Sequence, residues 1–558
     1  MSGLTHSGLF FLAAASLGVH SSTFKLPAPG PACSPGDSVR LEIAATTDIH
    51  GHIRGWNYYG DRGDPNLGLA RAATIVDSVR AANRNRFILV DAGDLLEGTP
   101  LTYVAARMSI QRHNPIIAAM NAMRYDAAAI GNHEFNYGVP YLDSAVAQAE
   151  FPMLAANVSR GNKPHAYASY AIARRAGVDV GIIGATTPGS NLWDASNLAA
   201  ARMHIGAIVP AVRAAAAEAR ANGADVIVVV LHSGLDGPSS YDTAGTGVAS
   251  ENVAARVAAE VPGINVIVYG HTHRENPGQL IGRTFLIQPK NWATSVAVVT
   301  LPVTCDPARR WLASIASGVI VQSKGHSEDS LVVNAVRQVH AQTLAYVNSA
   351  IGMTSELWRG DSSRMEPTPL INLILDVERR AAKTDLASAS AFDLRAHLGP
   401  GPITVAQIAQ LYPYDNTLRA IRITGAQLKA YLEYSSRYYK TEADRSLVID
   451  NSVEGYNFDM VSGVDYQIDV SRPVGQRVTT FTHRGKAVTP TDTFTMAINN
   501  YRQAGGGGYA MLRDAPVVYD EQQEIRDLLI DDVRRLHTLD KATYDEKNWS
   551  FVKRGAPR

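Results

Sequence analysis

An α/β chain is predicted, with a layered domain of alternating strands and helices, a long linking helix, and then a smaller α+β domain. Three observations predict it. Short apolar runs recur from Val39 onward, at Leu41 to Ala45, Phe87 to Val90, Ala127 to Ile130, Val178 to Gly184, Asp225 to Leu231 and Ile264 to Tyr269. Between them lie alanine-rich stretches such as Ile208 to Ala221, a composition that favours helix. Strands and helices alternating at this spacing build layered α/β domains. After Pro302 the alternation fades, and short β-rich runs mix with helices.

In chain order, residues 1–37 read as a secretory leader and linker. The apolar stretch Leu9 to Val19 has the length of a signal-peptide core and is too short to cross a bilayer as a helix. Lys25 to Asp37 is rich in Pro, Gly and Ser, as linkers are. Cys33 follows Gly30-Pro31-Ala32, which lacks the aliphatic residue expected before a lipid-modified cysteine. Export to the periplasm or the medium is therefore expected. Residues 38–326 form the first domain. Val332, Val336, Val339, Leu344 and Val347 stand near helical spacing, so one long linking helix is expected within 327–352. Residues 353–531 form the second domain, with strands at Leu418 to Thr424 and Val464 to Val470 and a helix at Gly425 to Ser435. Residues 532–558 read as a helical or loose tail. No further apolar run approaches 20 residues, so no transmembrane segment is expected.

Composition removes several function classes. Hydrophobic residues at 46% and charged residues at 19% exclude a disordered or fibrous chain. Lys+Arg and Asp+Glu are equal at 52 each, so the chain lacks the basic field with which proteins hold a nucleic-acid polymer. Two cysteines are too few for a disulfide framework or a thiolate zinc site. The 16 histidines carry more information, because of where they stand.

Strand run after strand run ends at a residue able to bind metal. Leu41 to Ala45 leads to Asp48 and His50, Phe87 to Val90 to Asp94, and Ala127 to Ile130 to Asn132, His133 and Glu134. Asp225 to Leu231 ends at His232, and Ile264 to Tyr269 leads to His271 and His273; the Val178 run leads to none. The ends of neighbouring strands converge on one edge of a layered sheet, where ligand sites form. Imidazole with carboxylate suits Zn, Mn, Fe or Co. Two such ions a few Å apart can activate water and stabilise both oxygens of a phosphoryl displacement, and a carboxylate between them offsets their repulsion. A lone histidine is far more often structural than catalytic; the ordered set D-x-H, GD, GNHE, H and GHTH is a specific signal.

On TTDIHGHI, VDAGDLLEG, IGNHEFNYG, VVLHSG and YGHTH, the sequence resembles the calcineurin-like metallophosphoesterases and, more closely, the 5′-nucleotidase family, from about Val39 to about Arg526. The resemblance implies a four-layer α/β/β/α first domain. It implies one divalent metal held by Asp48, His50, Asp94 and His273, and a second by Asp94, Asn132, His232 and His271, with Asp94 bridging. It nominates His133 as the catalytic histidine, and Asn136 stands where 5′-nucleotidases carry an aspartate that orients it. A neutral amide there withholds a charge that would raise the histidine's pKa. The form GNHEFNYG resembles the branch acting on 2′,3′-cyclic nucleotides and 3′-nucleotides. Asp91, His52 and Glu134 either orient ligands or are polar loop residues, while Glu97 and His113 are read as structural. His165, His326, His340 and His397 are expected to face solvent.

In the second domain, Tyr412-Pro413-Tyr414 and the Asn499–Tyr509 loop with its glycine run place aromatics where a base can stack. The resemblance to the family's YPYDNT and GGGGY motifs nominates Tyr414 and Tyr509 as the pair around the base, Arg395 of FDLR as a substrate contact and Arg364 as a second. It also implies a hinge near Gly352. The expected substrates are mononucleotides, the expected state a monomer, and the expected reaction opens 2′,3′-cyclic nucleotides and then removes the 3′-phosphate. A 5′-nucleotidase or nucleotide-sugar hydrolase is the alternative. A catalytically silent nucleotide-binding surface protein is a remote one, because all seven ligand positions are filled.

Overall fold

The computed structural model describes residues 33–108, 113–308, 310–414, 416–521 and 523–553, so the leader expected before Cys33 lies outside the described residues. Two sheets stack face to face in the first domain. One holds the strands Ser38–Thr46, Phe87–Asp91, Ala127–Ala129 and Met153–Leu154 in parallel, with Ser295–Cys305 antiparallel beside the first. The other is ordered Asn276–Ile281, Thr284–Gln288, Val266–Tyr269, Val226–His232, Val178–Thr186 and Tyr170–Arg175.

Alternation along the strands decides which layer each side chain enters. Leu41, Ile43, Ala45, Ile88 and Val90 meet Val180, Ile182, Val228, Val230 and Val268 between the sheets. The intervening Ala44, Leu89 and Ala128 face the helices Leu69–Ala82, Pro115–Met123 and Val139–Gln148. On the far side, Ile183, Ile227, Val229 and Leu231 pack on the helix Ile208–Ala221. Helix, sheet, sheet and helix make four layers. Burial on both faces explains why these strands read as unbroken apolar runs.

The structure sharpens three expectations. The single linking helix is two, Ser330–Ala335 and Arg337–Val347, broken at Val336, whose φ of −115° leaves the helical region while its side chain is buried. Gly352, near which the hinge is expected, lies inside the strand Ala350–Thr354, paired with Gly401–Thr404. Of the helical or loose tail expected from residue 532, the helical alternative holds at its start, where helix Ile525–Leu536 runs across residue 532, and Trp549–Phe551 then adds a strand beside Asp465–Ile468 with Trp549 buried. The second domain otherwise follows expectation, with Leu418–Thr424 in a five-stranded sheet, between Thr493–Asn499 and the edge strand Val517–Tyr519, and a helix at Gly425–Ser435. Among the described residues no helix is long and apolar enough to cross a membrane.

The two cysteines, too few for a framework, nevertheless pair: Cys33 is bonded to Cys305 across a sequence separation of 272 residues. The bond ties the start of the first strand's lead-in to the end of its antiparallel neighbour. Cross-links that close long loops stabilise chiefly by restricting the unfolded chain, by about 2–4 kcal/mol. Cys33→Ser with Cys305→Ser should therefore unfold at a lower urea concentration than the parent; coincident unfolding curves would show that the bridge adds nothing.

Candidate metal centre

The loops that follow the strands carry unusual backbone. Asp48, His50, Asp94, His271 and His273 all have φ between 48° and 73°, a region that side chains other than glycine's rarely enter and that clusters at functional sites. The contortion is held by cross-loop hydrogen bonds: Asp48 N–H donates to Gly93 O at 2.9 Å, His50 N–H to Asp94 O at 2.9 Å, and His133 N–H to Asp94 Oδ1 at 2.8 Å. Gly131 must be glycine, because a Cβ there would lie 2.2 Å from Asp94 Oδ1. Glu134 is fully buried and accepts from Asp94 N at 3.0 Å, Leu96 N at 3.1 Å and Leu95 N, joining the Asp94 loop to its own. Asp91 does the same one turn earlier, accepting from Thr46 Oγ1 at 2.6 Å and Gly93 N at 2.7 Å. His52 stacks on Trp292 with ring centroids 4.6 Å apart.

Two overlapping groups of metal-binding side chains result. Asp48, His50, Asp94 and His273 form one, and Asp94, His232 and His271 the other, with the donor atoms in each within 4.8 Å of one another. Asp94 Oδ2 is shared, 3.6 Å from His50 Nε2 and 3.0 Å from His232 Nε2. Asn132 Oδ1 is 3.0 Å from His232 Nε2, so all seven sequence-predicted ligands come together.

The imidazoles are oriented for a cation. His50 Nδ1 lies 3.1 Å from Glu97 O, and His232 Nδ1 2.9 Å from Ala92 O. A carbonyl only accepts, so each Nδ1 carries the hydrogen and each Nε2 turns a lone pair inward. His271 is held the other way, its Nε2 2.5 Å from Glu251 Oε1. Burial opposes a charge on His232, yet the Asp94 carboxylate raises it to about 9. The field that draws a proton there also draws a divalent cation, and the two compete for Nε2. The donor set and its outer hydrogen bonds therefore fit divalent metal ions.

His133 stands at the rim, its ring centroid 5.0 Å from that of His50. Its Nδ1 is 2.6 Å from Asn136 Oδ1 and 2.9 Å from Glu97 Oε2. Glu97, read from the sequence as structural, thus supplies the carboxylate that position 136 lacks. Burial works against a charge on His133, but Asp94 and Glu97 hold it well above the usual imidazole range. Asn136 Nδ2 in turn donates to Asp194 Oδ1 at 2.9 Å. Nothing in the sequence alone singles out Asp194, Trp193 or Glu251. The Val178 run, which leads to no ligand, leads instead to Trp193, stacked on His271 at 5.9 Å, and to Asp194.

The second domain corrects two nominations. Tyr509 is fully buried: its hydroxyl donates to Asn457 O at 2.7 Å and Arg502 lies over its ring at 4.1 Å, so it offers no face to a ligand. The glycine run folds the loop back into the core, with φ of 90°, 70° and 87° at Gly505, Gly507 and Gly508. Exposed at the head of that loop is Tyr501, 38% accessible and near enough to Tyr414 that, after burial, it helps push the Tyr414 hydroxyl up. Tyr414 is 47% accessible and edge-on to Phe392 at 5.0 Å. Arg364 donates to Ala391 O at 2.7 Å and Tyr438 Oη at 3.2 Å, so its guanidinium is committed to the domain's own framework. Arg395 remains 81% exposed, bonded only to its neighbour Asp393 among the described contacts. His340, expected in solvent, is half-buried and 2.7 Å from Tyr58 Oη.

Comparison with known proteins agrees with this arrangement. The calcineurin-like phosphoesterase family matches residues 41–275, and the 5′-nucleotidase C-terminal domain matches residues 350–514. The chain is 29% identical to a 2′,3′-cyclic-nucleotide 2′-phosphodiesterase/3′-nucleotidase of Haemophilus influenzae, over 92% of this chain and 88% of that protein. It is also 29% identical to the trifunctional nucleotide phosphoesterase protein YfkN of Bacillus subtilis, over 93% of this chain, but spans only 39% of that protein's length. Among solved structures, a putative 5′-nucleotidase from Staphylococcus aureus superposes with a TM-score of 0.78 at 25% identity, covering 92% of this chain and all of that one. The crystal structure of the calcineurin-like phosphoesterase YfkN of Bacillus subtilis is 31% identical with a TM-score of 0.52, covering 56% of this chain and all of that one.

Proposed function

Because this chain belongs to the calcineurin-like phosphoesterases and carries a 5′-nucleotidase C-terminal domain behind the catalytic one, we propose that it opens 2′,3′-cyclic nucleotides to 3′-nucleotides and then releases the nucleoside. That it is a phosphoric ester hydrolase follows from both matched domains and from relatives named for that activity. The cyclic and 3′ preference is supported by relatives from three bacteria that bear that name and by Asn136 in place of a carboxylate.

The observation that carries the reading is the Asp94-centred donor set with His133 pinned beside it. Two divalent ions, one held by Asp48, His50, Asp94 and His273 and one by Asp94, Asn132, His232 and His271, would supply a nucleophile at neutral pH and neutralise charge on the phosphoryl group. Glu97 and Asn136 fix His133 Nδ1, which leaves Nε2 to donate a proton. In the first step the water oxygen adds to phosphorus, the bond from phosphorus to O2′ breaks, and His133 protonates the leaving O2′. In the second step the bond to O3′ breaks in the same way. Tyr414 and Tyr501 offer the faces for the base, and the exposed Arg395, held by Asp393 alone among the described contacts, stands ready for an anionic substrate. The Cys33–Cys305 bond suits an oxidising compartment and supports a periplasmic or secreted enzyme.

Metal-reconstituted enzyme given 2′,3′-cyclic AMP, 3′-AMP and 5′-AMP should show higher kcat/KM on the first two. Faster turnover of 5′-AMP would favour a 5′-nucleotidase, the reading to which the Staphylococcus aureus likeness points.

A further inference from the structure

On three of the candidate ligand histidines an oxygen acceptor fixes one ring nitrogen, and the third acceptor differs in kind. His50 and His232 lean on backbone carbonyls, Glu97 O and Ala92 O, through Nδ1. His271 leans on a side chain, with its Nε2 2.5 Å from Glu251 Oε1. An Nε2 that donates to a carboxylate leaves Nδ1 as the nitrogen with a lone pair. The rest of His271 is fixed from other directions: its N–H donates to Asp48 Oδ1 at 3.0 Å, and its ring stacks on Trp193 at 5.9 Å. Glu251 is buried, and its Oε2 accepts from Ser240 N at 2.6 Å. The loop that carries it closes on itself, because Glu251 N–H donates to Ser239 Oγ at 2.9 Å and Ser233 Oγ donates to Glu251 O at 2.6 Å. The same loop is tied to the second domain, where Arg513 Nη1 lies 3.0 Å from Asp242 Oδ2. A buried carboxylate is costly unless a positive charge faces it. A cation at His271 Nδ1 supplies that charge across the ring.

We infer that Glu251 is a positioning residue for the second ion alone: its carboxylate turns His271 Nδ1 toward that ion and strengthens it as a donor. The inference rests on the two-ion reading of the site and deepens it, because it makes the two ions unequal. A carboxylate behind an imidazole raises its basicity and fixes its orientation, and removing such an outer partner costs about 10–100-fold in metal affinity. The first group, Asp48, His50, Asp94 and His273, is arranged differently. There the carboxylate behind an imidazole is that of Glu97, which stands 3.8 Å from His50 Nδ1 and is directed at His133 Nδ1, 2.9 Å away. The His271 backbone, bonded to Asp48, does not depend on Glu251. The second ion is therefore the one that should loosen when Glu251 is altered.

The test titrates metal-free wild type, Glu251→Gln, Glu251→Asp and Ser239→Ala with Mn²⁺ by equilibrium dialysis. Wild type should bind two ions per chain. Glu251→Gln can keep the hydrogen bond to the ring but not the charge, and should bind one ion as wild type does and the other about 10–100-fold more weakly. Glu251→Asp keeps the charge, one methylene further from the ring, and should fall between the two. Ser239→Ala frees the loop from Glu251 N–H while leaving the carboxylate, and should bind both ions like wild type. Wild-type binding of both ions by the two Glu251 variants, equal weakening of both ions, or an equal loss in Ser239→Ala overturns the inference and leaves the two-ion reading standing. Wild type that binds a single ion overturns the reading and the inference together.

Discussion

Asp94→Asn should abolish turnover, by more than about a thousandfold, and strip metal from the protein. Asp94 Oδ2 lies within reach of both His50 and His232, and Asp94 belongs to both donor groups. Losing a residue that only orients a ligand costs about 10–100-fold, and a shared ligand serves two ions at once. The substitution is gentle elsewhere, since an asparagine Oδ1 can still accept from His133 N–H as Asp94 Oδ1 does at 2.8 Å. Its amide would instead face the histidines with hydrogens where charge is needed. The check is elemental analysis beside a kinetic assay: parent-like metal content with parent-like rate would remove Asp94 from the centre.

His133→Ala should separate metal binding from chemistry. The ring stands at the rim of the donor set, and its Nδ1 is taken by Asn136 at 2.6 Å and Glu97 at 2.9 Å. General-acid assistance contributes about 10²–10⁴-fold, so kcat should fall by that factor while bound metal is unchanged. Metal loss in this variant would make His133 part of the ligand set, and an unaltered kcat would take it out of the mechanism. Because the orienting carboxylate comes from Glu97, a milder defect belongs to Glu97→Gln, whose amide can still hydrogen-bond the ring without its charge.

The seven candidate ligand positions are legible in the sequence because each requirement is local. An apolar run ends, the chain turns, and a ligand-type residue appears within a few positions, so order along the chain stands in for convergence in space. What completes the site was illegible for the opposite reason. Glu251 holds His271 from 20 residues away and Glu97 holds His133 from 36 away, neither within a recognisable spacing. Asp194 follows a strand that carries no ligand of its own. Tyr509 and Tyr501 sit in one loop and are equivalent by composition; only the fold of the glycine run buries the first and exposes the second. Arg364 and Arg395 are likewise equal on paper, yet one is committed to Ala391 O and the other reaches solvent.

The sequence by itself determined the α/β character of the first domain, the residues that meet in the candidate metal centre and the lack of a charge excess for a broad basic face, because period, composition and strand-end chemistry are properties of short stretches. Tertiary structure alone decided that the two cysteines pair across 272 residues, that the last strand closes a sheet of the second domain, and that a carboxylate from each domain lines the space between them. Those outcomes depend on burial and on contacts between residues remote in the chain, and neither leaves a local trace.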